Sequence, residues 1–99
     1  MTGEAAGKAV AAAKQVGTGN NIKLSLDYTT KQAGAYPIVL VTYEIVCSKG
    51  KDPAKVALTK AFLTQFSSPA QQKELETIGY APLPAAVAGK VTTAIDALS

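Results

Sequence analysis

Tyr36-Pro37-Ile38-Val39-Leu40-Val41-Thr42-Tyr43-Glu44-Ile45-Val46-Cys47 is the stretch on which the reading of this chain turns. β-Branched and aromatic residues dominate it, and Ile38 to Val41 run apolar without a polar face, the pattern of a strand covered on both sides. The spacing therefore predicts a central strand over 38–47, beginning just after Pro37, because proline is tolerated at the first residue of a strand. Most of the remaining chain reads as helical cover, giving an α/β class.

Upstream of that strand, Asp27 to Ala35 is polar with a glycine at position 34 and reads as a loop. Before it, Ile22-Lys23-Leu24-Ser25-Leu26 alternates strictly, so a second strand is expected with Ile22, Leu24 and Leu26 turned inward. Gly17 and Gly19, followed by Asn20 and Asn21, break the chain there. The opening segment has Thr2 as an N-cap and Glu4 in the first turn, and its high helix propensity extends to Val16, predicting a helix near 3–16.

Downstream, Ser48 to Lys51 forms a turn, and Asp52-Pro53 sets an N-cap before a proline at the first helical position. That helix is expected to reach Phe66. Leu58, Phe62 and Phe66 recur every four residues, with Val56 and Leu63 alongside, and predict one apolar stripe packed against the rest. Ser68-Pro69 repeats the start signal for a helix to about Ile78, closed by Gly79. Tyr80-Ala81-Pro82-Leu83-Pro84 must be extended, because its prolines disfavour helix in the residues before them. A last helix near 85–97 carries Val87, Val91, Ile95 and Leu98 on one face. The predicted core is Leu58, Phe62, Leu63, Phe66, Val87, Val91 and Ile95 together with the central run.

Composition excludes more than it suggests. With 99 residues the chain is at most one domain, and 47% apolar with 17% charged residues is globular composition. All 10 basic residues are lysines, spread singly, and the net charge of +3 comes without the clustered patch and aromatic platforms of a nucleic-acid reader. Lys49 and Lys51 read as a solvated turn. No stretch is long enough to span a membrane, and Met1 to Val16 does not read as a signal peptide, because Glu4 and Lys8 interrupt it.

The search for chemistry is mostly negative. Without histidine the commonest general base and metal ligand is missing. Cys47, the one cysteine, reads as a small buried hydrophobe at the end of the central strand, and no catalytic, metal or cofactor site is expected. Glu74 and Glu76, two apart on a helix, do not face each other. Glu44 is the most suggestive acid, with a lysine or backbone partner expected rather than catalysis. Gly17-Thr18-Gly19-Asn20 is like a glycine-rich phosphate loop, but it follows a helix and precedes a strand, the reverse of the order that aims N–H groups at an anion. Thr18 there and Ser68 at a helix start are the weak anion candidates. Tyr43 and Tyr80 read as amphipathic packing residues.

Gly34 to Cys47, then Lys60-Ala61-Phe62-Leu63, then Gly79-Tyr80-Ala81-Pro82-Leu83-Pro84, taken in that order, resemble the C-terminal part of the phosphate-binding proteins of bacterial ABC phosphate importers. The resemblance covers essentially the whole chain. It implies the C-terminal portion of a type II periplasmic-binding-protein-like fold, with crossing strands about 22–47 and a helical part over 53–99 forming a single α/β segment of a two-lobed protein. It further implies inorganic phosphate as ligand of the complete protein, the importer's membrane subunits as partners, and an extracytoplasmic, envelope-associated location. The family's Ser, Thr, Arg and acidic phosphate ligands match no position here, and neither its signal peptide nor its lipid-attachment cysteine is present in this chain. The absent arginine agrees, since bidentate oxyanion recognition is what that side chain supplies. Two readings follow: a fragment or truncated paralogue of the phosphate-binding subunit, or a small interaction or structural domain that kept the scaffold and lost the site. In either, a central strand without its neighbours should offer an open edge for a homodimer or domain swap.

Overall fold

A computed structural model describes residues 2–99, in which helix α1 (Gly3–Ala11) leads to a short hairpin of β1 (Lys14–Gln15) and β2 (Leu24–Ser25), and helices α2 (Pro53–Phe66), α3 (Pro69–Thr77) and α4 (Ala85–Asp96) form the second half. The result is mixed helix and a small sheet, compatible with a fragment of an α/β fold.

The helix starts follow their signals. Thr2 Oγ1 accepts from Ala5 N–H (3.1 Å), Asp52 Oδ1 from Ala54 N–H (3.0 Å), and Ser68 Oγ from Gln71 N–H (3.4 Å). Each satisfies a donor that the first helical turn leaves free. At the end of α3, Gly79 takes φ +89°, and Tyr80 N–H donates to Leu75 C=O (3.0 Å) while Gly79 N–H donates to Glu76 C=O (3.3 Å). That is the Schellman closure, and the left-handed residue it needs is the glycine.

α1 is shorter than predicted. It stops at Ala11, and Lys14 and Gln15 leave the helix to pair antiparallel with Ser25 and Leu24. Val16 N–H extends the pairing to Lys23 C=O (2.8 Å), and the Gln15 amide donates to the carbonyls of Gly19 (3.1 Å) and Asn21 (3.2 Å), knitting the turn from within. These tertiary bonds outweigh the helix propensity of residues 12–16. The predicted strand 22–26 shrinks to its centre, though Ile22, Leu24 and Leu26 are half-buried and Lys23 and Ser25 exposed, as the alternation requires.

The central strand is where the structure corrects the sequence reading. Residues 38–47 form no strand, and helices do not cover them: Ile38 is 75%, Leu40 91% and Ile45 93% exposed. A strand exists only through its ladder, and this segment has none. It is held at Tyr36, whose N–H donates to Ala5 C=O (2.9 Å), and at Tyr43, whose hydroxyl accepts from Leu24 N–H (2.9 Å). Beyond its far end, Gly50 N–H donates to Ser99 C=O (2.7 Å) and Ser99 N–H to Ser48 C=O (3.1 Å). Cys47 is correspondingly exposed rather than buried.

The core is small: Ala6, Ala9, Leu63, Val87 and Ile95 are the buried apolar residues among those described. Leu58, Phe62 and Phe66, expected inside, are exposed, and Val91 is only half-buried. α2 instead turns Val56, Thr59, Lys60, Leu63 and Ser67 toward its neighbours, also a helical i, i+3, i+4, i+7 set. Lys60 explains part of that choice, because its ammonium donates to the α4-terminal carbonyls of Asp96 (3.0 Å) and Leu98 (3.2 Å), where a cation complements the helix dipole.

Candidate functional site

Thr18 and Ser68, the anion candidates, sit on different elements and are each used locally. Thr18 is exposed at the tip between β1 and β2, its carbonyl accepting from Asn21 N–H (3.1 Å). The loop around it is closed by Gln15, so its carbonyls point inward to that amide and its backbone forms no cradle of N–H donors. Ser68 is half-buried with its hydroxyl serving α3 as cap. Each is a local turn or cap; neither is accompanied by a converging cation.

A cleft of about 400 Å³ opens between the end of the exposed segment and the start of α2, where Val46, Cys47, Lys51, Asp52, Lys55 and Val56 contribute to its lining. Its acid is committed to capping α2 through Asp52 Oδ1. Two lysines beside a carboxylate and a thiol can attract an anion weakly, but they lack the fixed, multiple donors that replace a phosphate's water. Among the described residues no cluster of Cys, Asp and Glu could hold a metal ion. Glu44 is exposed and makes no ion pair among the described residues, where Glu4 and Lys8 form one at 3.1 Å. In a self-contained turn, the Thr29 hydroxyl (2.7 Å) and then the Thr29 N–H (2.9 Å) hold the Asp27 carboxyl below the usual carboxylate range.

The residues that organise the region around the Tyr-Ala-Pro-Leu-Pro segment were not anticipated. Gln72, 7% exposed, donates from its amide to Phe66 C=O (3.0 Å) and accepts from Leu83 N–H (2.9 Å), tying the end of α2, the side of α3 and the proline segment together. Gly3 allows α1 to approach the same segment, since a Cβ there would lie 3.1 Å from Pro82 Cδ and 2.7 Å from Glu76 Oε1. For Gln72 a signal existed: it lies three residues before Leu75, on the side of α3 that must face inward.

What the molecule presents most prominently is unburied apolar surface. Ile38, Leu40 and Ile45 on the open segment, and Leu58, Phe62 and Phe66 along α2, all face solvent, the two phenyl rings stacked on each other at 6.0 Å. The chain exposes 7109 Å² for 10.1 kDa, where a self-contained monomer of that mass exposes about 5,300 Å². Its radius of gyration, 14.5 Å, likewise exceeds the roughly 13 Å of a compact domain of this length.

No family model and no solved structure matches the chain at a significant level. Curated proteins do. A phosphate-binding protein PstS 2 of Mycobacterium tuberculosis is 41% identical over 101 residues, covering 100% of this chain and 27% of the relative. A phosphate-binding protein PstS3 of Mycobacterium bovis BCG is likewise 41% identical with the same coverage, and the PstS 3 of Mycobacterium leprae is 39% identical over 98 residues, 97% of this chain and 26% of the relative. The chain thus spans about a quarter of the length of the curated relatives it matches.

Proposed function

Because this chain matches the C-terminal part of the PstS phosphate-binding proteins along its whole length, we propose that it is a C-terminal piece of a phosphate-binding protein, bracing a site whose ligands lie outside these 99 residues. The carrying observation is the 41% identity that extends over 100% of the chain but reaches only 27% of the relative. The relatives are named as phosphate-binding proteins, which supports a binding role rather than catalysis. Its contribution is architectural: a single α/β segment of a type II periplasmic-binding-protein-like fold, with 22–47 crossing between lobes and 53–99 completing one of them. Partners on this reading are inorganic phosphate and the membrane subunits of an ABC importer, and the location is extracytoplasmic.

The excess exposed surface favours one alternative, a small interaction domain that retained the scaffold alone. Calorimetric titration of the 99-residue chain with phosphate at low salt tests the site's absence. No saturable heat is expected. Micromolar or tighter binding, abolished by Thr18→Ala or Ser68→Ala, would place a phosphate site within the chain and refute the bracing role.

A further inference from the structure

We propose that residues 96–99 are a strap, clasped by Lys60, that fixes the turn 48–50 onto α2 and α4 and opens as a unit while the helices stay folded. Every contact it uses lies within this chain, and the inference stands independently of phosphate.

The strap is gripped at both ends. Ser99 N–H donates to Ser48 C=O (3.1 Å) and Gly50 N–H donates to Ser99 C=O (2.7 Å), so Ser99 holds the residues on either side of Lys49, the bonding of a parallel pair. At the other end, α4 has no basic residue in its last turn, and the cation that answers its free carbonyls comes from α2. Lys60 Nζ donates to Asp96 C=O (3.0 Å) and to Leu98 C=O (3.2 Å). Between the two grips, half-buried Leu98 lines the cleft it shares with Val46, Cys47 and Val56. The turn is seated on the helix that supplies the clasp, because a Cβ at Gly50 would collide with the Val56 side chain.

Lys60 is the clasp because its two bonds are charge-assisted, and such bonds are roughly twice as strong as the neutral backbone pair at Ser99. Burial separates the strap from the core. Ile95 is buried, whereas Asp96, Ala97 and Ser99 are exposed, as are Ser48, Lys49 and Gly50. A unit with few buried apolar contacts and solvent-exposed bonds opens at lower free energy than the whole fold. The Gln72 bridge between α2, α3 and the proline segment passes through none of these residues and is left intact by that opening. While the strap is docked, the chain leaves the helices for Cys47 and the open segment from a fixed point; once released, that point is free to move.

Amide hydrogen exchange on the 99-residue chain, followed by NMR, tests this. The Gly50 and Ser99 amides should be protected and should exchange together, faster than amides in the middle of α2 and α4. Lys60→Met, which keeps the apolar stem and removes the charge, should lower their protection about tenfold or more while the mid-helix amides hold theirs. Lys60→Arg should retain most of it. Ser99→Pro, which removes the N–H given to Ser48, is a second route: it should free the Gly50 amide and leave the helices protected. Unprotected Gly50 and Ser99 amides in the parent chain would overturn the proposal. So would protection that Lys60→Met leaves unchanged, exchange in Lys60→Arg no slower than in Lys60→Met, or a loss that reaches the mid-helix amides equally, which would make Lys60 a support of the core.

Discussion

Gln72 shows how a single side chain can hold the second half of this molecule together. Its amide answers one carbonyl and one N–H that would otherwise be half-buried and unpaired. Gln72→Ala should therefore cost about 1–3 kcal/mol in urea denaturation, whereas Gln71→Ala next to it, exposed and without a side-chain bond of its own, should cost less than about 0.5 kcal/mol. Equal effects would show that the bridge contributes nothing. Caps were legible because Thr2, Asp52, Ser68 and Gly79 act within one turn of their own position. Gln72 was less so, since its partners are 6 and 11 residues away. Cys47 was misread for a related reason: burial depends on elements that the local pattern does not contain.

At the scale of elements, α2 is the instructive case. Its length and both ends follow the sequence, yet it presents Leu63 and not Phe62 to the core. Two helical faces were available, and the one turned inward carries both Leu63 and Lys60, whose ammonium donates to the carbonyls of Asp96 and Leu98 at the end of α4. Leu63→Ala should cost about 2–5 kcal/mol as a buried cavity, while Phe62→Ser, on a ring 60% exposed, should cost under about 1 kcal/mol. Thermal unfolding of both variants checks the order, and a reversal would return Phe62 to the interior. Residues 38–47 follow the same logic. Their apolar, β-branched character was readable; their pairing was not, because hydrogen-bond partners belong to a second strand and no such strand lies beside them. Likewise, residues 12–16 have helical propensity but take the hairpin that Gln15 and Lys23 close.

At the scale of the whole molecule, surface tells more than any site. The chain exposes roughly a third more area than a monomer of its mass, and its exposed large apolar residues lie mostly along the open segment and one face of α2. The phosphate-binding relatives match the chain over 97–100% of its length while most of their own length is left unmatched. The lack of arginine and histidine was legible from composition. The open surface was not, because an apolar run reads the same whether covered or bare. The most direct test of the bracing role is a hybrid in which this chain replaces the matching C-terminal segment of the Mycobacterium tuberculosis PstS 2, titrated with phosphate by calorimetry. Saturable binding at one site per molecule, retained when Thr18 and Ser68 are both changed to alanine, is the predicted result. A folded hybrid that binds no phosphate, or that loses binding with those two changes, would contradict it.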